Sequence, residues 1–268
     1  LRRPLLLEGE AGVGKTELAK SLAAATGGEL IRLQCYEGID AAQAVYDWDY
    51  AKQLLHLRAA EATGESQQMT ADALESELYG ERFLIKRALL RAIESTEGPP
   101  PVLLIDEVDK SDHEFEAFML EILSEFQISI PELGTIKAKK RPFVFLTSNN
   151  TRDMSDALKR RCLHLYVPFP DAKLEREIIQ ARVPEIPKEL RTMLVDFVQS
   201  VRTMDLKKQP SVSETIDWAR VLLLLHATEL DADMVRETLN VFLKFEEDIQ
   251  AVDQHLYEFI RNAEKAVA

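Results

Sequence analysis

The chain has 268 residues, 46% hydrophobic and 29% charged, which is ample for a buried core and excludes a disordered protein. A formal net charge of −13 repels nucleic acid and anionic membrane surfaces, so no nucleic-acid partner is expected. Two cysteines, Cys35 and Cys162, without C-x-x-C spacing argue against a disulfide or zinc framework, and no signal peptide or membrane-length apolar run is present, so the expected location is cytoplasmic.

Leu1 is not Met, and the first residues already enter a strand, so an N-terminal portion of the natural protein is expected to precede it. The strand, Pro4-Leu5-Leu6-Leu7, runs into Gly9-Glu10-Ala11-Gly12-Val13-Gly14-Lys15-Thr16, which fits G-x-x-x-x-G-K-[ST]. A helix from Thr16 to Ala25 follows. Glycines let such a loop turn its N–H groups inward, and the helix N-terminus adds partial positive charge, so the stretch from Gly9 to Glu17 reads as a polyphosphate cradle. Lys15 is expected to reach the β- and γ-phosphates, and the Thr16 hydroxyl to hold Mg²⁺.

A strand from Glu29 to Leu33 comes next. Residues 36–80 change composition, with nine acidic residues against Lys52 and Arg58, and read as loop plus helix, an insertion. Residues 81–97 read as a helix with Phe83, Leu84, Ala88, Leu89 and Ile93 close to i, i+4 spacing. Val102-Leu103-Leu104-Ile105 is a strand apolar enough to be covered on both faces. It ends in Asp106-Glu107. Asp106 is placed to share the Mg²⁺ shell with Thr16, and Glu107 to polarise an attacking water as general base. Ser111 with Glu114 resembles a capping box opening a helix to about Glu125. Residues 126–141 read as a hairpin. Phe143-Val144-Phe145-Leu146 is another buried strand. Asn149 follows it, at the edge where ligands bind parallel sheets, and is the candidate to orient water; Asn150 is the weaker one.

A short helix at 153–161 ends in Arg160 and Arg161, which either suit phosphoryl-transfer charge or are surface charges paired with nearby acids. His164 to Val167 is the last strand, and 171–182, 187–203, 211–228, 231–244 and 248–267 all read as helices. The pattern predicts an α/β fold, a parallel sheet flanked by helices, followed by an all-helical companion.

Together these motifs resemble the AAA+ ATPases over nearly the whole chain. The stretch Pro4 to Thr16, Leu146-Thr-Ser-Asn-Asn150, Asp156-Ala-Leu-Lys-Arg-Arg161 and Pro210-Ser-Val-Ser-Glu-Thr-Ile-Asp-Trp218 resemble the MoxR branch. Gln34-Cys-Tyr-Glu-Gly-Ile-Asp40 and Tyr46-Asp-Trp-Asp49 are similar to CoxD-like members, which assist maturation of a molybdenum–copper dehydrogenase. The resemblance implies an AAA+ module over 1–170 with a helical lid over 171–268, assembled as a homo-oligomeric ring, a hexamer, with ATP between subunits. Under it Asn149 matches sensor 1, and Arg161 the arginine finger given to a neighbour, with Arg160 second. Residues 36–80 match the helix-2 insertion and 126–141 the pre-sensor-1 hairpin. Family members remodel protein complexes and assist cofactor insertion, often with a partner carrying a von Willebrand A domain. One departure stands out. The start of the third lid helix, Ser211-Val-Ser-Glu-Thr215, lacks the sensor 2 arginine, so lid closure is expected either to be weak or to use another group, with Lys207, Lys208 and Arg220 the nearby candidates.

The implied function is Mg²⁺-dependent ATP hydrolysis driving remodelling or maturation of a protein complex. The alternatives are a DNA-directed motor of the same class, which the −13 charge opposes, and a slow nucleotide-gated scaffold. Lys137, Lys139, Lys140 and Arg141 form a basic cluster, read as a solvated hairpin before a contact to an acidic partner or a central pore. Tyr46, Trp48 and Tyr50 are read as core aromatics before a client-facing edge. The five histidines have no metal-ligand spacing.

Overall fold

In the computed structural model, residues 3–63 and 70–265 are described. Residues 1–2, residues 64–69 of the expected insertion, and residues 266–268, which include the end of the helix expected over 248–267, lie outside them. The chain forms two compact units, Leu1–Glu8 with Lys15–Tyr166, and Gly9–Gly14 with Val167–Ala268.

The first unit runs β1 (Leu5–Glu8), α1 (Lys15–Thr26), β2 (Leu30–Gln34), α2 (Ala41–Val45), β3 (Tyr46–Trp48), α3 (Tyr50–Thr63) and α4 (Ala71–Leu78). It continues with β4 (Leu84–Lys86), α5 (Ala88–Glu94), β5 (Val102–Asp106), α6 (His113–Glu125), β6 (Gln127–Ile130), β7 (Gly134–Lys137), β8 (Phe143–Ser148), α7 (Asp156–Arg161) and β9 (Leu163–Tyr166). Five strands pair in parallel in the order β2-β5-β8-β1-β9. Every residue of β5 is buried, as its unbroken apolar run requires, whereas edge strand β2 alternates and edge strand β9 is exposed along its length. Asp106 and Ser148 end adjacent strands, so their loops share one edge of the sheet. The sheet core is built on Leu6, Leu103, Ile105 and Leu146.

The helix read over 81–97 is divided. Glu81–Phe83 is a single tight turn, Leu84–Lys86 pairs antiparallel with β3, and only Ala88–Glu94 is helical. The pairing is non-local: Asp49 N–H donates to the Phe83 carbonyl at 2.8 Å and Arg87 N–H to that of Val45 at 2.9 Å. Phe83 is buried under the Arg82 guanidinium, 4.6 Å from the ring centroid. Trp48 packs edge-on against Tyr46 and Tyr79, whereas Tyr50 is 65% exposed and outside the core. The cap of α6 is also shifted by one residue. Asp112, not Ser111, accepts from Phe115 N–H at 2.8 Å, and the Ser111 hydroxyl donates instead to the Val108 carbonyl.

The helices of the second unit are α8 (Ala172–Arg182), α9 (Lys188–Val201), α10 (Val212–Leu224), α11 (Ala232–Phe242) and α12 (Glu246–Lys265). Asp171, Ser211 and Asp231 cap three of them through their side chains, and Ser211 with Glu214 completes a capping box. Their apolar stripes meet around Phe197, Trp218 and Phe242, with Trp218 and Phe242 ring centroids 4.4 Å apart. The buried indole N–H of Trp218 donates to Thr238 Oγ1 at 2.9 Å.

Candidate nucleotide site

The glycines of the loop between β1 and α1 are there because no other residue fits. Gly9 has φ +150°, and a Cβ on it would stand 2.2 Å from the Val167 carbonyl oxygen. Gly12 has φ +74°, and its Cβ would meet Ser211 Cβ at 2.6 Å. Any side chain at either position forces the loop to move.

Lys15 and Thr16 open α1, and Glu17 lies in its first turn. Lys15 is buried, and its ammonium donates to Asn149 Oδ1 at 2.8 Å. The loop lysine and the amide after β8 therefore come together as their sequence positions suggested.

Asp106 and Glu107 are held by groups that sequence reading did not single out. Asp106 is buried; Oδ1 accepts from the Thr147 hydroxyl at 2.5 Å and Oδ2 pairs with Arg32 at 2.5 Å. Glu107 sits in the left-handed region, φ 56° and ψ 49°, where its N–H donates to Thr147 Oγ1 at 2.9 Å. Its carboxylate accepts from Gln34 Nε2 at 3.1 Å and pairs with Lys110 at 2.6 Å. Arg32 and Gln34 are two apart on β2, where Gln34 pairs in register with Asp106 and Arg32 with Leu104, a neighbourhood set by strand order. Cys35, next in line, is buried; burial first, then the charges of Asp106, Asp109 and Glu107, push its thiol up to about 12, so it is no nucleophile.

Asp109 anchors the loop that carries Asn149. Its Oδ2 accepts from Asn149 N–H at 3.2 Å, Thr151 N–H at 3.0 Å and the Thr151 hydroxyl at 2.6 Å. Burial works to raise this carboxyl, but the hydrogen bonds from Thr151 and Asn149 outweigh it and hold it below the usual carboxylate range. Asp109→Ala is expected to lower stability by about 2–3 kcal/mol, the scale of lost bonds to a charged acceptor, read from the urea midpoint. A depressed carboxyl stabilises above its unfolded value and ceases to as pH falls through its folded value, so the gap between variant and wild type should close in acid.

Arg160 and Arg161 lie at the end of α7, both exposed. Arg161 Nε donates to Ser124 Oγ at 2.8 Å, whereas the Arg160 guanidinium makes no hydrogen bond among the described residues. Neither hydrogen-bonds to Lys15, Asp106, Glu107 or Asn149. In the second unit the three candidates named for the sensor 2 role are all paired: Lys207 with Glu247, Lys208 with Glu214 and Arg220 with Asp217.

The fold is that of an AAA+ P-loop module, and at one edge of its sheet the lysine of the glycine loop is bonded to a strand-end amide, with an acid pair at the end of the neighbouring strand. Residues 4–162 match the AAA domain (dynein-related subfamily), and the chain belongs to that family. Among curated proteins it is 24% identical to an uncharacterized protein of Staphylococcus haemolyticus over 229 residues, 83% of this chain and 76% of that one. An uncharacterized Staphylococcus aureus protein matches with the same identity and coverage. Among solved structures, a point mutant of Thermotoga maritima RuvB aligns over 97% of this chain and 70% of its own, at 18% identity and TM-score 0.51, a likeness of fold. Among the described residues no helix is long and apolar enough to cross a membrane.

Proposed function

We propose that the chain is an Mg²⁺-dependent ATPase of the MoxR branch, CoxD-like, whose turnover remodels or matures a protein complex. Metal-cofactor insertion into a metalloenzyme is the form of that work we favour. The observation carrying the reading is the Lys15–Asn149 hydrogen bond at 2.8 Å, which joins the phosphate-loop lysine to the amide that would orient water. The hard oxygens of Thr16 and Asp106 are the donor set that Mg²⁺ prefers, and when bound there it would neutralise phosphate charge. In the proposed step Glu107 takes a proton from water as the water oxygen bonds the γ-phosphorus. The bond from phosphorus to the β-phosphate oxygen breaks, giving ADP and phosphate. Lys15 balances charge on the phosphates, and N–H groups of Gly9 to Gly14 cradle them.

The ring, proposed as a hexamer acting in the cytoplasm with a von Willebrand A domain partner, rests on the family and on the arginines of α7. Exposed guanidiniums with no tie to their own acid pair suit a neighbour's nucleotide. ATP turnover per milligram across a wide concentration range tests this with the full-length protein. Wild type is expected to gain specific activity as it assembles, and Arg161→Ala to stay flat and about 10³-fold lower, the scale of an arginine finger. Concentration-independent turnover would remove the shared site; a harmless Arg161→Ala with a crippled Arg160→Ala would move the role by one residue.

A further inference from the structure

At the opposite ends of the strands from Asp106, a cavity of about 540 Å³ opens in the first unit. Val102 begins β5 and pairs with Phe143 at the start of β8, so this mouth lies about 13 Å along the strands from the acid pair. Its lining includes Arg3, Lys139, Lys140 and Arg141, and no Asp or Glu. In a chain of net charge −13 that is a local reversal of sign. Elsewhere exposed cations such as Lys86, Arg87 and Arg91 are matched by carboxylates. Here Lys140 Nζ donates to the Gly98 carbonyl at 2.6 Å, Arg141 lies over the Phe126 ring at 5.3 Å, and neither Lys139 nor Arg141 has an ion-pair partner among the described residues. The rest of the wall is apolar: Phe143, left 44% exposed, stands with Phe126, Pro100 and Pro142.

We infer that this cavity is a docking site for an acidic segment of a partner protein that carries an apolar or aromatic side chain between its carboxylates. Charge complementarity selects the acid: Lys139 and Arg141 are a pair of uncompensated cations at the rim of a concave, partly apolar site of ordinary ligand size. The exposed ring of Phe143 and the floor of Phe126 select the apolar side chain, since a small hydrated anion gains nothing from them. A nucleic acid's continuous line of phosphates would meet the acidic remainder of the chain, whereas a short acidic segment meets only the basic mouth. The site is separate from the nucleotide edge and does not depend on the ATPase reading.

The test is fluorescence anisotropy on the full chain, with a short labelled peptide of alternating Asp and Ser around a central Phe. Binding is expected to weaken with salt, to weaken about tenfold or more in Lys139→Glu with Arg141→Glu, and to weaken again when the peptide's Phe becomes Ser. A peptide with Lys in place of Asp should reverse the preference and favour the double variant, which also shows that the variant is folded. ATP turnover should be unchanged by the two substitutions. Equal affinity of the acidic peptide for both proteins overturns the inference. So does oligothymidylate binding tighter than the peptide through the same residues. A shift of the chain's own sedimentation caused by the substitutions would make this face a contact between copies and overturn it as well.

Discussion

Glu107→Gln is expected to lower ATP turnover by about 10²–10⁴-fold, the contribution of a general base, while leaving ATP bound. The amide keeps the volume of the acid and one acceptor for Gln34 Nε2, which now lies 3.1 Å from the carboxylate. Its backbone stays fixed, because the left-handed turn at Glu107 is held by its N–H on Thr147 and by Lys110 N–H on the Glu107 carbonyl at 2.9 Å. What is lost is the ability to take a proton. Lys110, paired with Glu107 at 2.6 Å, then loses its counter-charge, and its own ammonium, which that hydrogen bond and charge hold above the usual lysine value, should return toward it. Phosphate release measured beside equilibrium binding of labelled ATP separates the two effects. A fall in turnover of less than about tenfold would remove Glu107 from the base role, and a loss of ATP binding would make it a structural acid instead.

The site was legible where residue type and position are jointly constrained. A Gly-x-x-x-x-Gly-Lys-Thr stretch between a strand and a helix has few other uses, and β5 and β8 read as central strands because their apolar runs are unbroken. The residues around the acid pair were not legible, because what brings them there is strand order. Arg32 and Gln34 reach Asp106 and Glu107 because β2 lies beside β5, a neighbour across some seventy residues of chain. Nothing in the sequence marks Asp109; its role appears only where Asn149 and Thr151 fold back onto it. Leu84–Lys86 is too short to show a period, so its pairing with β3 decides its conformation, and the helical spacing of Phe83, Leu84 and Ala88 misleads. Arg202 at the end of α9 has the sequence of a surface cation, and only the packing of three helices around it makes it a buried one.

That arginine gives the largest stability effect expected in the second unit. Glu175 of α8 is wholly buried and takes both arms of the Arg202 guanidinium, at 2.6 Å and 2.8 Å. Thr215 of α10 donates to Glu175 at 3.0 Å, Gln199 of α9 donates at 2.7 Å, and Arg202 Nε donates to the Pro210 carbonyl at 2.8 Å. The carboxylate therefore ties three helices and the guanidinium adds the loop before α10, while also lying 4.8 Å over the Phe169 ring. Arg202→Met leaves that carboxylate buried without a counter-charge, and the expected loss is about 3–5 kcal/mol. Removing both charges, Glu175→Leu with Arg202→Met, is expected to recover most of it, because the desolvation cost leaves with the pair. The chain has two tryptophans, Trp48 in the first unit and Trp218 in the second, so urea unfolding followed by fluorescence in a Trp48→Phe background reports the second unit alone. A double variant no more stable than Arg202→Met would mean that the hydrogen bonds to Thr215, Gln199 and Pro210, rather than the charge pair, hold these helices together.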